Sequence, residues 1–320
     1  MNNLFLSCDW GTSSFRLRLV DAYGLKVLAE VSNAEGNASL FQKWKAAGAD
    51  TDRRTDFYLS FLEENIDKIS SEFGKSLDGR PIIISGMASS TVGMQEVPYK
   101  ELPFSLNGAD LKTVHFSATS NFPHPFTLVS GVCSTDDVIR GEEIQLVGCQ
   151  PDKRIKEQVF IIPGTHSKHV FTVDDKAVGF CTYMTGELFS LLSTQSILAT
   201  TVEKQGVLAD EDNAKSFKQG VLDSFKANLL HAMFWVRTNQ LFNKFSKESN
   251  YYYLSGLLIG AELKELKGTD KAITLLASGI LSESYLCALE ALDLTKQVSQ
   301  KSIDEAIING HYQLYMLHYQ

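Results

Sequence analysis

The sequence predicts an α/β fold built on an internal duplication, and three observations predict it. Runs of alternating apolar and polar residues, the period of a strand, are interleaved with stretches whose apolar residues recur at helical spacing. A strand–turn–strand–turn–strand pattern opens the chain and recurs once near its middle. Gly11-Thr12-x-Ser14 and Asp21 in the first copy match Gly164-Thr165-x-Ser167 and Asp174 in the second, at the same offset of 153 residues. A single recurrence marks a two-copy pseudo-repeat and not a solenoid. Third, 320 residues with 44% hydrophobic content suffice for one large or two medium cores.

The formal net charge is -8. That balance argues against general binding to nucleic acid or to an anionic membrane, and leaves room for a small anion in a local pocket. No apolar run approaches bilayer-spanning length. The chain opens into a strand without a basic-then-apolar leader, so a cytoplasmic location is expected. The five cysteines have no CxxC spacing and are expected to be buried free thiols. His166 and His169, three apart on a strand-like run, would point to opposite faces, which disfavours a shared zinc.

The first strand runs from Leu4 into Cys8. Phe15, Leu17 and Leu19, alternating with Arg16 and Arg18, make the second. Between them Gly11-Thr12-Ser13-Ser14 is a tight turn that presents backbone N–H groups and hydroxyls at one point, an anion-binding concavity. Asp9 ends the first strand. A carboxylate beside a phosphate cradle is repulsive unless a cation lies between, which points to Mg²⁺ at Asp9. A third strand is expected over Val27–Val31, then loop with some helix over 32–52. Tyr58, Phe61, Leu62, Ile66, Ile69 and Phe73 form the stripe of a helix over 55–73, closed by Gly74. A buried strand over 81–84 runs into the small-residue loop 85–90, residues 94–124 read as irregular, and a strand is expected over 127–132. Asp136 and Asp137 then read as N-cap candidates for a helix over 138–147, with Ile139, Glu143, Leu146 and Val147 at helical spacing and Gly141 inside it.

The second copy places strands over 159–162, 169–173 and 178–183, with the turn Pro163–Ser167 between the first two. The remainder reads as mostly helical. A helix follows Met184-Thr185-Gly186-Glu187, one long apolar stripe runs from Phe217 to Val236, and a small-residue helix spans 253–262. A strand over 272–276 leads through Ala277-Ser278-Gly279 into a helix to about 292, and a final helix runs from Ile303 to Leu317.

The stretch Asp-Trp-Gly-Thr-Ser-Ser-Phe-Arg at 9–16 resembles the first phosphate motif of the sugar-kinase and actin-like ATPase superfamily. It joins a larger set: Gly-Met at 86–87, Val-Pro-Tyr at 97–99, Asp-Val-Ile-Arg-Gly-Glu-Glu-Ile-Gln-Leu at 137–146 and Pro-Gly-Thr-His-Ser-Lys at 163–168. Met-Thr-Gly-Glu-Leu at 184–188 and Leu-Ser-Gly-Leu-Leu-Ile-Gly-Ala-Glu at 254–262 complete it. In this order the set resembles the 2-dehydro-3-deoxygalactonokinases over nearly the whole chain. Two stretches depart from the pattern: His169 stands where a Trp is expected, and the loop 88–94 differs from the usual Gly-Ser-containing loop ending in Trp.

The resemblance implies a two-lobed actin-like ATPase (ribonuclease H-like) fold, with mixed sheets flanked by helices and the nucleotide in the cleft between lobes. It implies an N-terminal lobe over 1–150 joined by the final helix 303–320, and a C-terminal lobe over 151–302. It further implies transfer of the γ-phosphoryl of ATP to the 6-hydroxyl of 2-dehydro-3-deoxy-D-galactonate, with Mg²⁺, in galactonate catabolism. The implied partners are the sugar acid and ATP, with no nucleic acid and no membrane, and a homodimer stays open as the assembly. The rival readings are a kinase of another deoxy sugar acid or an amino sugar, and a nucleotide-binding protein that phosphorylates nothing.

Phosphoryl transfer asks the protein mainly for positioning and charge stabilisation. By the resemblance, Gly11, Thr12, Ser13, Gly164, Thr165, His166 and Ser167 take the ATP phosphates. Arg16 and Lys168 offset phosphate charge, and Ser278 and Gly279 lie on the adenosine side. Asp9 is the metal candidate. Asp137 is the expected general base, with Asp136, Glu142 and Glu143 as rivals. Arg140 is the expected clamp for the sugar carboxylate, because a guanidinium fork matches that geometry. Ser85, Gly86, Tyr99, Glu142, Thr185 and Glu187 are further expected sugar contacts, and the stripe from Phe217 to Val236 is expected to be helix packing.

Overall fold

In the computed structural model, which describes residues 3–48, 50, 53–150, 154–295 and 298–320, the chain divides into two units. The first comprises Met1–Arg154, Val173–Gly179 and Ile303–Gln320, the second Ile155–Thr172 and Phe180–Ser302. In chain order the elements are β1 (Leu4–Trp10), β2 (Phe15–Asp21), β3 (Lys26–Asn33), α1 (Asn37–Ala46), α2 (Arg54–Phe73), β4 (Ile82–Gly86), β5 (Lys100–Glu101), β6 (Phe104–Ser105), β7 (Thr113–Phe116), β8 (Phe126–Val129), β9 (Val132–Cys133), β10 (Val138–Ile139) and α3 (Glu142–Cys149). There follow β11 (Glu157–Ile162), β12 (Ser167–Val173), β13 (Lys176–Tyr183), α4 (Thr185–Gln195), α5 (Glu211–Asp223), α6 (Leu229–Leu241), α7 (Lys247–Leu263), β14 (Ala272–Leu276), α8 (Gly279–Ala291), β15 (Val298–Lys301) and α9 (Ile303–Tyr319).

The first sheet has the order β3-β2-β1-β4-β8-β7. β1, β2 and β3 form an antiparallel meander, and β4 and β8 continue it in parallel from β1. In the second unit β13-β12-β11-β14-β15 repeats that order, with β14 parallel to both β11 and β15. A meander extended by parallel strands in this order is the ribonuclease H-like sheet, and its occurrence in each unit is the α/β fold of actin-like ATPases. The offset seen in the sequence is therefore a repeat of topology.

Period-two alternation gives the first sheet two unlike faces. Leu6, Cys8 and Trp10 of β1 join Leu17, Leu19, Ile82 and Ile84 in a core that α2 covers with Tyr58, Leu62, Ile66 and Ile69. Each Leu or Ile fully buried there contributes about 1.5–3 kcal/mol. The intervening residues Ser7 and Asp9 pair with Arg18 and Arg16 on β2, and Asp9 with Ser85 on β4, so the other face carries a polar line. Helix α9 covers part of that face: Tyr315 stacks on Phe5 at 4.9 Å. Asp304 accepts from Arg16 at 2.7 Å and from Arg18 at 2.6 Å. α9 crosses α3 so closely that a Cβ on Gly148 would lie 1.7 Å from the Ala306 carbonyl oxygen. In the second unit Val159, Ile161, Ile273 and Leu275 pack with Phe217 and Val221 of α5, Ile259 of α7 and Tyr285 of α8.

The structure corrects several expected elements. No helix spans 138–147: Val138 and Ile139 form β10, antiparallel to β9, and α3 begins only at Glu142. Asp137 lies in the β9–β10 turn and caps no helix. Gly141 precedes α3 at φ 107, a backbone region that favours glycine and ends helical geometry. Glu143 reaches back and accepts the Gly141 N–H at 2.9 and 2.7 Å, which stabilises this start over an earlier one. β-branched Val138 and Ile139 favour the hairpin side of the choice. The stripe from Phe217 to Val236 is two helices, broken where Asn228 accepts the Leu230 N–H at 2.9 Å and caps α6. Periodicity missed the break because apolar spacing continues on both sides of it. The expected 127–132 strand splits into β8 and β9, and the irregular 94–124 stretch holds the short strands β5, β6 and β7.

Candidate active site

The turn Gly11–Ser14 is tied down on its carbonyl side. Asn37 and Ala38, the first residues of α1, donate their N–H groups to the Gly11 and Thr12 carbonyls at 3.0 and 3.1 Å. The Asn37 side chain donates to the Trp10 carbonyl at 3.0 Å. Thr12, Ser13 and Ser14 are exposed, so the turn exposes three residues that carry hydroxyls, groups an anion site can use. Arg16 is directed elsewhere, into a network with Asp304, Arg18 and Glu30.

Gly86 ends β4 beside Trp10, at φ 86, with room for no Cβ: one would lie 2.7 Å from the Trp10 carbonyl oxygen. Gly141 sits against it, its own Cβ position 3.6 Å from Gly86 Cα. These two close approaches bring the start of α3 to the ends of β1 and β4, where ligands of α/β proteins gather. Glu142 accepts the Arg140 N–H at 2.9 Å. Its charge lies near enough to Asp9 to help raise the Asp9 pKa, after burial and against the lowering effects of Arg16 and Arg18. Buried Glu143 is pushed up to about 8, first by burial and then by the charge of Glu142. Asp9 and Glu142 are hard oxygen donors, and a divalent cation beside them would offset their repulsion, so the residues fit such an ion. Arg140 donates through Nη1 to the Ser89 carbonyl at 2.7 Å and to the Ser89 hydroxyl, and its guanidinium lies 4.3 Å over the Tyr99 ring. Its buried Nε has no partner among the described residues.

Asp137 is partly buried and accepts the Val138 N–H at 2.7 Å, while exposed Asp136 accepts from Ser134 and Thr135. Below Asp9 and Ser85, buried His311 of α9 lies between two hydroxyls, Ser7 Oγ at 2.7 Å from Nδ1 and Ser85 Oγ at 2.9 Å from Nε2. Burial, with the Arg18 charge, pulls the His311 pKa down to about 3.

The second turn is held in the same manner as the first. The Glu187 N–H donates to the Thr165 carbonyl at 2.9 Å. A Cβ on Gly186 would lie 2.5 Å from the Gly164 carbonyl oxygen. Thr165 and His166 are exposed, and His166 bonds to Glu187. Ser167, by contrast, is buried, with its hydroxyl on Glu262 at 2.7 Å, and Lys168 donates to the His166 carbonyl at 2.8 Å. Ser278 and Gly279 are exposed at the end of β14, parallel neighbour of β11, so this loop and the turn share one end of the sheet.

The structure thus gathers Asp9, the first turn, Ser85, Gly86, Arg140 and Glu142 in one unit. It gathers the second turn, Thr185 and Glu187 in the other. Arg16 and Ser167 are drawn into protein contacts, and Asp137 stands apart from a helix start. Four residues of evident importance had no assigned role: Asn37, Glu262, Tyr285 and His311. The signal for two of them was present, a Glu and a His set in apolar helices, where buried polar groups need partners.

Two ribonuclease H-like units, each with a Gly-Thr turn after its first strand, define the class: an α/β protein of the actin-like ATPase superfamily. A family model described as 2-keto-3-deoxy-galactonokinase matches residues 9–314. A probable 2-dehydro-3-deoxygalactonokinase of Rhizobium meliloti (strain 1021) is 32% identical, covering 96% of this chain and 94% of its own. The 2-dehydro-3-deoxygalactonokinase of Escherichia coli (strain K12) is 30% identical over 72% of this chain and 80% of its own. A crystal structure from Sinorhizobium meliloti, assigned provisionally to the same activity, superposes with a TM-score of 0.79 at 28% identity, over 99% of this chain and 100% of that one. The chain belongs to the 2-keto-3-deoxy-galactonokinase family. It is a kinase, and a kinase of this fold uses ATP and a divalent metal ion. No helix among the described residues is long and apolar enough to cross a membrane.

Proposed function

We propose that the chain transfers the γ-phosphoryl of ATP to the 6-hydroxyl of 2-dehydro-3-deoxy-D-galactonate, in the cytoplasm, with Mg²⁺ as its metal ion. The observation that carries this reading is the family match, which spans both Gly-Thr turns and the 137–146 segment. Thr12 and Ser13 of the first turn, and Gly164 and Thr165 of the second, bind ATP phosphates through backbone N–H groups and hydroxyls. Ser278 and Gly279 serve the adenosine side. Asp9 holds Mg²⁺, which supplies charge neutralisation at the transferring phosphoryl group. Arg140, its plane fixed by Tyr99 and Ser89, offers its remaining N–H groups to the substrate carboxylate. For the base that accepts the 6-hydroxyl proton we propose Glu142, which opens α3 directly after Gly141, the residue that packs on Gly86 at the strand ends; Asp137 is the alternative.

Protein, Mg-ATP and a panel of sugar acids, followed by ADP release, test the reading. Release is expected with 2-dehydro-3-deoxy-D-galactonate and to be far slower without an acceptor, because a kinase must keep water from the phosphoryl group. Equal release with and without every acid would overturn it. Release with a different acid alone would move the substrate and keep the kinase. Asp9→Asn is expected to raise the Mg²⁺ concentration needed for half-maximal activity several-fold. An unchanged Mg²⁺ titration in an active variant removes Asp9 from the metal.

A further inference from the structure

We propose that Glu262 is a positioning residue that sets the second Gly-Thr turn for ATP. The proposal rests on the reading of that turn as a phosphate site. Glu262, near the end of α7, is 2% exposed. One carboxylate oxygen accepts from Ser167 Oγ at 2.7 Å and from His169 Nε2 at 3.0 Å. The other accepts from the Tyr285 hydroxyl at 2.7 Å and from Thr185 Oγ1. Tyr285 also lies 3.1 Å from Ser167 Oγ.

These four donors occupy the four lone-pair sites a carboxylate has. No acceptor capacity remains for a ligand, so Glu262 acts through its neighbours. Two of those neighbours are the handles of the turn. Ser167 is the residue on which the turn closes into β12. Thr185 opens α4, whose next two residues, Gly186 and Glu187, press on Gly164 and hold the Thr165 carbonyl. A single buried carboxylate therefore fixes the turn from its far end and, through α4, from outside. His169, which departs from the family's expected Trp, supplies one of the four donors. Its other ring nitrogen, Nδ1, is buried without a partner among the described residues.

Glu262→Gln keeps the shape and turns one acceptor into a donor, so two of the four bonds must break or reverse. It is expected to weaken MgATP binding, measured by calorimetry without sugar acid, about tenfold, the equivalent of one charge-assisted hydrogen bond. Double variants separate positioning from general destabilisation. With Thr165→Val, on the same turn, the combined loss should fall short of the product of the single losses. With Thr12→Val, in the other unit, the losses should multiply. A folded Glu262→Gln with wild-type ATP affinity overturns the proposal, and so do losses that multiply equally with both threonine variants. If Glu262→Gln does not fold, Ser167→Ala carries the test, with weakened ATP binding expected and unchanged affinity overturning it. If Thr165→Val alone leaves ATP affinity intact, the phosphate reading of the turn fails and this proposal with it. If Thr165→Val weakens ATP and Glu262→Gln does not, the proposal alone fails.

Discussion

Glu142→Gln is expected to slow phosphoryl transfer by at least about a hundredfold at saturating MgATP and sugar acid, since losing a general base costs about 10²–10⁴-fold. The base must reach the substrate hydroxyl whose proton it accepts. Glu142 opens α3 directly after Gly141, and Gly141 packs on Gly86 at the strand ends that carry Asp9. The N-terminus of a helix also favours a carboxylate there. Asp137 is five residues earlier, in the hairpin turn, with an oxygen on the Val138 N–H. Asp137→Asn should accordingly cost much less turnover than Glu142→Gln, and Asp136→Asn less still. Single-turnover rates for the three variants decide the matter. A dead Asp137→Asn beside an active Glu142→Gln would transfer the role to Asp137 and leave the kinase intact.

Replacing His311 by Gln is expected to remove a large part of the protein's acid lability. His311 has a pKa of about 3 in the folded chain against an ordinary 6.5. The unfolded state therefore binds the extra proton first as pH falls. The stabilisation tied to the neutral ring is fully present above about 6.5 and is lost progressively as pH drops toward 3. At 1.36 kcal/mol per unit the full window amounts to on the order of 5 kcal/mol. Urea midpoints for both proteins between pH 7 and pH 4 provide the check. The variant should be less stable at pH 7, having lost the bridge between Ser7 and Ser85, but its midpoint should fall less on acidification. Parallel pH profiles would show that His311 titrates in the folded protein as it does in the unfolded chain.

Much of the fold was legible in the sequence because alternation and helical spacing are local properties. Val159–Ile162 and Ala272–Leu276 read as strands from a few residues each, and Gly74 marked the end of α2 because glycine accepts the left-handed backbone that closes a helix. The turns were legible for a similar reason: a short run of glycine and hydroxyl residues between two strands has the chemistry a tight turn needs. The candidate site was legible where a motif and its local geometry coincide, as at Gly11–Ser13 and Gly164–Thr165. The local structure was not legible at 137–142. There an Asp-rich start and helical spacing competed with a hairpin, and the outcome turned on Gly141 and on Glu143 reaching back to it.

By itself the sequence determined the α/β class, the duplication, the two exposed turns and the family, since each is written in residue order and spacing. Tertiary structure alone decided what the isolated polar residues do. The hydroxyls that bracket His311 lie 304 and 226 residues away along the chain, and Glu262 gathers donors 95, 93, 77 and 23 residues away. A buried charge or imidazole takes its protonation and its role from the partners folding brings to it, and no local pattern encodes partners at such separations.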